Sequence, residues 1–438
     1  MFPIQNPPAG QLPCPPSPCE AKQQGNDNLA SAAVKAIKNQ LNAYSDVIEF
    51  GGQQPFRLAK KPTPCNLRAT DLKETAIVER FNRYREAMPY ANAALDLNLL
   101  KDAAGGMPNN TSPRERKNYL KKKSGLLEKC LTRLPDTAEA LNKELGLPAG
   151  TLKDGHLRND TTGYRAAIYR SEVDGSLIMV PRDTQPDSLV DWKTNTDNGQ
   201  GRDTDQYKST RDLARLLTKN KVPFNIAGYS KGGGMAQEAG LIAKNAKVKV
   251  FNAAGLHEAS LKRTGNKGFD KLAERTQAFS AEGDFLTFMN NTTDPQQQLI
   301  NTRFLRDELA GDGSGINPMK IKVSNPQMRA AIEEDSDADT EFAADRESYL
   351  ADIDNMIGQA QQQINEGLPV RIFPSVKAGH QETLPNSIPL SNWDRKVKNA
   401  NPNLAKMIQH RMQNVTMGLT DTLKQDKKAL QEFLKKCG

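Results

Sequence analysis

The chain has 438 residues, 37% of them hydrophobic, and a formal net charge of +8. This length predicts one large core with additions or two domains, and no run of about 18 apolar residues suggests a transmembrane helix. The basic residues form no dense block with interleaved aromatic residues, so we expect no nucleic-acid partner. A positive surface suits anionic lipid headgroups, so peripheral contact with a membrane surface is expected instead.

The N-terminal 20 residues have neither a basic n-region nor an apolar h-region, so no secretory signal peptide is predicted. We expect the protein to be cytoplasmic in the producing cell, or to be exported by a route that reads no such signal. The five cysteines are scattered, and none has metal-site spacing to a histidine. We therefore expect no metal, although Cys14 and Cys19 could form a disulfide in an oxidising compartment.

The N-terminal third is predicted to carry no chemistry of its own. Residues 1–26 are rich in proline, glutamine and asparagine, which predicts a disordered tail. Apolar spacing predicts a helical N-terminal region over 27–150. Its helices are expected at 34–48, 72–88 and 112–134.

Strand and helix signals alternate from about residue 164. Strands at 166–170 and 177–180 flank the turn sequence VDGS, which predicts a hairpin. Alternating patterns then predict helices at 205–220 and 231–245 and strands at 223–230, 247–255 and 275–284. Such alternation is typical of an α/β fold with a mostly parallel sheet and helices on both faces. We assign this catalytic domain to 151–289 and 367–438.

The strand pattern disappears over residues 290–366. This polar, partly acidic segment carries a helical apolar stripe near its end, which predicts a helical insertion. A strand is expected to return at 368–376, and an apolar stripe predicts a final helix over 404–423.

A G-x-S-x-G sequence joins the predicted strand at 223–230 to the helix after it. It reads Gly228, Tyr229, Ser230, Lys231 and Gly232. Small residues around a serine allow the sharp strand-to-helix turn that exposes a nucleophile, and the following helix N-terminus supplies a backbone N–H for an oxyanion. The alternative is a glycine-rich turn with an idle serine.

A serine nucleophile needs a base and an acid to orient that base. The order Ser, Asp or Glu, His excludes His156. His380 follows the predicted strand at 368–376 and is our expected base. His257 is an alternative, and His410 is interpreted as a surface histidine within the last helix.

The acid is expected at the end of a strand between serine and base. Asp284 ends the predicted strand at 275–284, with Gly283 allowing a turn, and Glu282 is the near alternative. A second oxyanion donor should lie in the loop that begins at Arg182.

Two segments resemble class 3 lipases of the α/β-hydrolase fold. They are VPRDTQ…DWKTNTDNGQG, residues 180–201, and the elbow GYSKGG. The resemblance implies that Thr184 belongs to the oxyanion hole with the Lys231 N–H. The chain departs from the family pattern at Asp183, Tyr229 and Lys231, where the family has glycine, histidine and leucine. The resemblance also implies a serine carboxylic ester hydrolase with Ser230, Asp284 and His380 as its triad and no cofactor.

Helical additions without a signal peptide are also similar to lipase effectors delivered by bacterial type VI secretion. This similarity implies a phospholipase, most concretely phospholipase A, acting on membrane lipids of rival cells. It further implies an immunity protein and a secretion apparatus as partners. The insertion at 290–366 is then a candidate lid, or an elaboration that only packs on the fold. Two alternatives stay open: a non-lipid esterase, thioesterase or acyltransferase, and an idle scaffold used as a binding module.

Overall fold

The computed structural model describes residues 71–99, 131–133, 142–151, 156–159, 161–171, 175–185, 188–265, 268–292, 294–310, 338–368, 370, 372, 378–385, 410 and 412–437. The predicted tail 1–26, the predicted helix 34–48 and the cysteines Cys14 and Cys19 lie outside these residues.

The chain forms two compact units. The larger unit is Ala87–Leu419, and the smaller one is Met1–Glu86 with Thr420–Gly438. In the smaller unit, Arg80 makes a two-point ion pair with the buried Asp426, with N···O distances of 3.0 and 2.5 Å.

One mixed sheet forms the centre of the larger unit. Its strands are β1 (Leu131–Arg133), β2 (His156–Asn159), β3 (Tyr164–Ser171), β4 (Leu177–Pro181), β5 (Phe224–Tyr229), β6 (Val248–Phe251), β7 (Thr276–Ala281) and β8 (His380–Leu384). Their order is β1-β3-β4-β5-β6-β7-β8, with β2 also paired to β3. Strands β4 to β8 are parallel, and the pairs formed by β3 are antiparallel. The predicted α/β class with a mostly parallel sheet is therefore confirmed, and the β3–β4 hairpin forms where predicted.

The helices are α1 (Asp71–Leu99), α2 (Leu189–Gly199), α3 (Asp205–Lys219), α4 (Lys231–Ile242), α5 (Glu258–Arg263), α6 (Phe269–Glu274), α7 (Phe285–Asn291), α8 (Pro295–Ala310), α9 (Ala338–Asn365) and α10 (Met412–Cys437). Among the helices of the described residues, none combines the length and apolar character needed to cross a membrane.

The two faces of the sheet follow from the alternation of side chains along each strand. Ile168 and Val250 face the main apolar core, which contains residues of α3, α4 and α6. Their neighbours Tyr169 and Lys249 face the other side, where Tyr169 Oη donates to Asp96 and the Lys249 ammonium lies 5.2 Å from the ring centroid of Tyr90. Since Tyr90 and Asp96 belong to α1, helices cover both faces.

The observed secondary structure differs from the predicted one in three places. Val370 and Ile372 do not belong to a strand, and instead pack with residues of α8 and α9 in a small core. Among the described residues the last strand is β8, and the three described residues of the strand predicted at 368–376, namely 368, 370 and 372, are not in a strand. The final helix is Met412–Cys437, and His410, predicted to lie within it, is in a turn before it. Residues 404–409 of the predicted helix lie outside the described part of the chain. The sheet also includes β1, which the sequence placed in the helical region 27–150.

Candidate active site

Ser230 lies at the turn between β5 and α4, as the G-x-S-x-G sequence predicted. Its φ is +53° and its ψ −125°, a conformation that costs a non-glycine residue free energy and is concentrated at functional sites. A side chain at Gly228 would collide with the backbone of Gly232, and one at Gly232 with the backbone of Pro181. Both glycines are therefore required by close backbone approach, which makes the turn sharp.

Ser230, His410 and Asp284 form a hydrogen-bonded chain. The Nε2 atom of His410 lies 2.8 Å from Ser230 Oγ, and its Nδ1 atom lies 2.5 Å from Asp284 Oδ1. The Asp284 side chain is fully buried, whereas that of His410 is 22% exposed. Because a carboxylate only accepts hydrogen bonds, Nδ1 carries the proton and Nε2 is left to accept from the serine. This geometry allows the serine hydroxyl to lose its proton as it attacks an electrophile.

The Asp284 carboxylate is held by the start of α7. Gly283, with φ +77°, turns the chain after β7, and Asp284 Oδ2 accepts from the Thr287 N–H at 2.6 Å as the helix N-cap. Its other oxygen is thereby directed to His410. The alternative acid, Glu282, is exposed.

The expected base, His380, is not at this site, and the prediction is corrected to His410. His380 begins β8 and pairs with Gln277 near the start of β7. Its side chain is 63% exposed, and its Nε2 atom lies 3.5 Å from Oε1 of Glu382, two residues further along β8. Because β7 and β8 are parallel, His380 lies at the end of the sheet where these strands begin. Asp284 lies beyond the opposite end, about 13 Å along the strands.

The other candidate histidine has a structural role. His257 is the N-cap of α5, where its Nδ1 accepts from the Ala259 N–H at 3.0 Å. Its ring also packs against Gly201. Neither contact brings it to Ser230.

The loop after β4 lies against the first turn of α4. The space beside Gly232 is filled by the backbone of Pro181 and Arg182, which places the following residues next to the elbow. Thr184 Oγ1 accepts from Asn195 Nδ2 at 2.9 Å. The Lys231 N–H belongs to the first helical turn, where N–H groups have no intrahelical acceptor. The backbone after β4 and the first turn of α4 are therefore adjacent.

A buried charge network ties this loop to the elbow. The Lys231 ammonium, 2% exposed, lies 2.5 Å from Asp191 Oδ1 and 2.6 Å from Gln206 Oε1. Asp191 Oδ2 accepts from the Gln185 N–H at 2.8 Å. Burial lowers the pKa of Lys231, while Asp191 acts in the opposite direction.

Asp183 is a second buried carboxyl group in the same loop. Its Oδ2 accepts from Asn98 Nδ2 at 2.6 Å, while its Oδ1 has no hydrogen-bond partner among the described residues. Burial raises its pKa to about 6, and the neighbouring Arg182 opposes this effect.

The sequence did not identify His410 or Asp191 as site residues. Chain order allowed His410 as well as His380, but the apolar stripe of the last helix was extended over it. Asp191 was quoted within the DWKTN segment without a role. Within the described part of the chain, no group of three or more histidine, cysteine or carboxylate side chains could hold a metal ion.

Comparison with known families gives a match to part of the chain. A family described as "Phospholipase-like: Tle-like phospholipase domain" matches residues 131–317, a segment that contains Ser230 and Asp284 and ends before His410. The predicted similarity to type VI lipase effectors is confirmed, and it supports a lipid ester hydrolase with a lipid substrate. No curated protein matches the chain.

Proposed function

We propose that the protein is a serine phospholipase A that hydrolyses a carboxylic ester of membrane phospholipids. The observation that carries this proposal is the hydrogen-bonded chain Ser230–His410–Asp284 at a strained strand-to-helix turn. Ser230 and Asp284 lie within the segment similar to a phospholipase-like domain. The α/β-hydrolase fold is proposed with it, since the nucleophile follows a central parallel strand.

The first half of the reaction forms an acyl-enzyme. Ser230 Oγ attacks the ester carbonyl as its proton passes to His410 Nε2, and Asp284 stabilises the resulting imidazolium. The N–H groups of Lys231 and Thr184 would donate to the oxyanion of the tetrahedral intermediate. When this intermediate collapses, the imidazolium proton passes to the departing alkoxide, which leaves as a lysophospholipid.

The second half releases the fatty acid. Water attacks the acyl carbonyl while His410 Nε2 takes its proton, and a second tetrahedral intermediate forms at the same N–H groups. Its collapse breaks the bond to Ser230 Oγ, which regains a proton from His410. The 22% exposure of the His410 side chain leaves the base accessible to this water.

The test is fatty-acid release from vesicles of phosphatidylethanolamine and phosphatidylglycerol. Ser230→Ala and His410→Ala should each lower the rate by at least about 10³-fold. His380→Ala is the matched histidine control and should keep activity within about twofold, because that side chain is exposed at the opposite sheet edge. Equal losses in the two histidine variants would reject the assignment.

A fluorophosphonate probe separates the remaining alternatives. Labelling at Ser230 without fatty-acid release would favour an esterase, thioesterase or acyltransferase of the same fold. Neither labelling nor release would favour an idle scaffold used as a binding module.

We propose that the enzyme acts as an antibacterial effector, exported by a secretion apparatus and neutralised in the producer by an immunity protein. The similarity to a Tle-like domain supports this role. Targeting the protein to the bacterial periplasm should inhibit growth, whereas the Ser230→Ala variant should not. Equal inhibition by both forms would argue against an enzymatic toxin.

We also propose that residues 290–366 form a lid. In support, the Tyr349 hydroxyl on α9 lies 2.7 Å from Thr196 Oγ1 and donates to Trp192 O at 3.2 Å. These contacts join the insertion to α2, the helix that follows the loop containing Thr184. Replacing 290–366 by a short glycine-serine linker should raise hydrolysis of a soluble short-chain ester and remove activation by vesicles. Unchanged rates on both substrates would reject the lid.

A further inference from the structure

The backbone carbonyl of His410 accepts hydrogen bonds from two side chains. Tyr229 Oη donates to it at 2.5 Å and Asn252 Nδ2 at 3.0 Å. The Tyr229 ring also packs on the imidazole, with centroids 5.2 Å apart and planes tilted by 31°. The residue that carries the candidate base is therefore held at its main chain as well as at its ring nitrogens.

The two donors come from the ends of neighbouring parallel strands. Tyr229 is the last residue of β5, directly before Ser230, and Asn252 follows the last residue of β6. Both are buried, at 6% and 0% exposure. Because the C-terminal ends of these strands also position the nucleophile, His410 and Ser230 are held by the same end of the sheet.

The orientation of the Asn252 amide is fixed by a third strand. Its Oδ1 accepts from the Ala281 N–H at 2.8 Å, at the end of β7, so Nδ2 must face His410. The Asn252 N–H is also used, donating to Phe279 O at 2.8 Å. Its φ of +42° lies in the left-handed region, which asparagine tolerates better than most residues. One asparagine thus connects the base to the strand that leads to Asp284.

His410 has need of such a support. Ser230 directly follows β5 and Asp284 lies three residues after β7. His410 lies just before α10, 180 residues from Ser230 and 126 residues from Asp284 in the chain. A misplacement of about 1 Å between catalytic groups can cost about 100-fold in rate.

We propose that Tyr229 and Asn252 are positioning residues that set the distance from His410 to Ser230 by clamping the His410 carbonyl. This inference rests on the proposed serine hydrolase function. It gives Tyr229 a role at the position where the lipase pattern has histidine.

The test compares Tyr229→Phe, Asn252→Gly and the double variant. Phenylalanine keeps the ring on the imidazole and removes only the hydroxyl donor, while glycine accepts the positive φ and removes the amide. Each single change should lower kcat per labelled active site about tenfold and leave KM unchanged. The fold-decrease in kcat of the double variant should exceed the product of the two single fold-decreases, because in each single variant the remaining hydrogen bond still partly holds the carbonyl.

Tyr169→Phe is the matched control for stability. It removes another buried tyrosine hydroxyl, which donates to Asp96 at 2.9 Å. Tyr169 belongs to β3, which is separated from β5 by β4 in the sheet. It should lower the urea midpoint without changing kcat or the rate of fluorophosphonate labelling. The clamp variants should slow this labelling in parallel with kcat.

Three outcomes would overturn the proposal. They are a double variant with kcat within about twofold of the parent, a kcat loss in Tyr169→Phe equal to that of Tyr229→Phe, or a rise in KM alone. If the parent protein reacts with the fluorophosphonate but hydrolyses no phospholipid, the labelling rates of the variants still test whether Tyr229 and Asn252 position His410. If the parent neither labels nor hydrolyses any ester, the proposed function fails and the clamp fails with it.

Discussion

Substitution of Lys231 by methionine tests the buried network below the elbow. Methionine keeps an unbranched apolar side chain of similar length and removes the ammonium that lies 2.5 Å from Asp191 Oδ1. The Asp191 side chain has no exposure and would retain Arg182, 3.9 Å away, as its nearest cation. Its hydrogen bonds from Gln206 Nε2 and the Gln185 N–H would also remain.

The expected cost follows from leaving a buried carboxylate without its main partner. Removing one member of a buried ion pair typically costs about 3–5 kcal/mol, and we expect the lower end because Arg182 remains. The double variant Lys231→Met/Asp191→Asn removes both charges and keeps the amide acceptor for Gln185. It should recover most of the loss.

Urea unfolding measures this difference, with Trp192 fluorescence as a probe adjacent to Asp191 in the chain. The reasoning is refuted if Lys231→Met is as stable as the parent within about 1 kcal/mol. It is also refuted if the double variant is no more stable than Lys231→Met alone. Either result would mean that Asp191 is not a buried anion that depends on Lys231.

Two further substitutions test the loop and the elbow. Asp183→Asn should stabilise the protein above pH 6 and not below pH 4. The folded pKa of this carboxyl is raised from 3.8 to about 6, so its ionisation lowers the free energy of unfolding as pH rises through that window, by up to about 3 kcal/mol. Thermal unfolding of both proteins at pH 4 and pH 8 measures the difference in stability. A pH-independent effect would contradict the raised pKa. Gly232→Ala should abolish labelling of Ser230 by a fluorophosphonate, because the added methyl group would collide with the Pro181 carbonyl oxygen, whereas Gly358→Ala, at a helix position with nothing within 4 Å, should label normally.

Local sequence determined the nucleophile turn. An apolar strand, a G-x-S-x-G sequence and a helix in succession allow few conformations, since glycine is needed on both sides of Ser230. The β3–β4 hairpin and the α/β class also follow from local pattern, because buried parallel strands are continuous apolar runs. Asp284 could be placed because it follows the strand pattern of β7 after a short turn at Gly283.

The position of the base was decided only by tertiary structure. β8 is an edge strand in which only Leu384 is buried, so HQETL lacks the apolar pattern of a core strand. The segment before it is apolar because Val370 and Ile372 pack between α8 and α9, which made it resemble the missing strand. His380 was therefore predicted to follow a strand at 368–376, whereas it is the first residue of β8.

Contacts between distant segments have no local signature. Nothing in the sequence around His410 distinguishes a surface histidine from one that meets Ser230 and Asp284. Lys231 and Asp191 likewise read as ordinary polar residues, although each is buried against the other. Local sequence fixes a turn because it limits backbone conformation, but which side chains meet across the fold depends on how the whole chain packs.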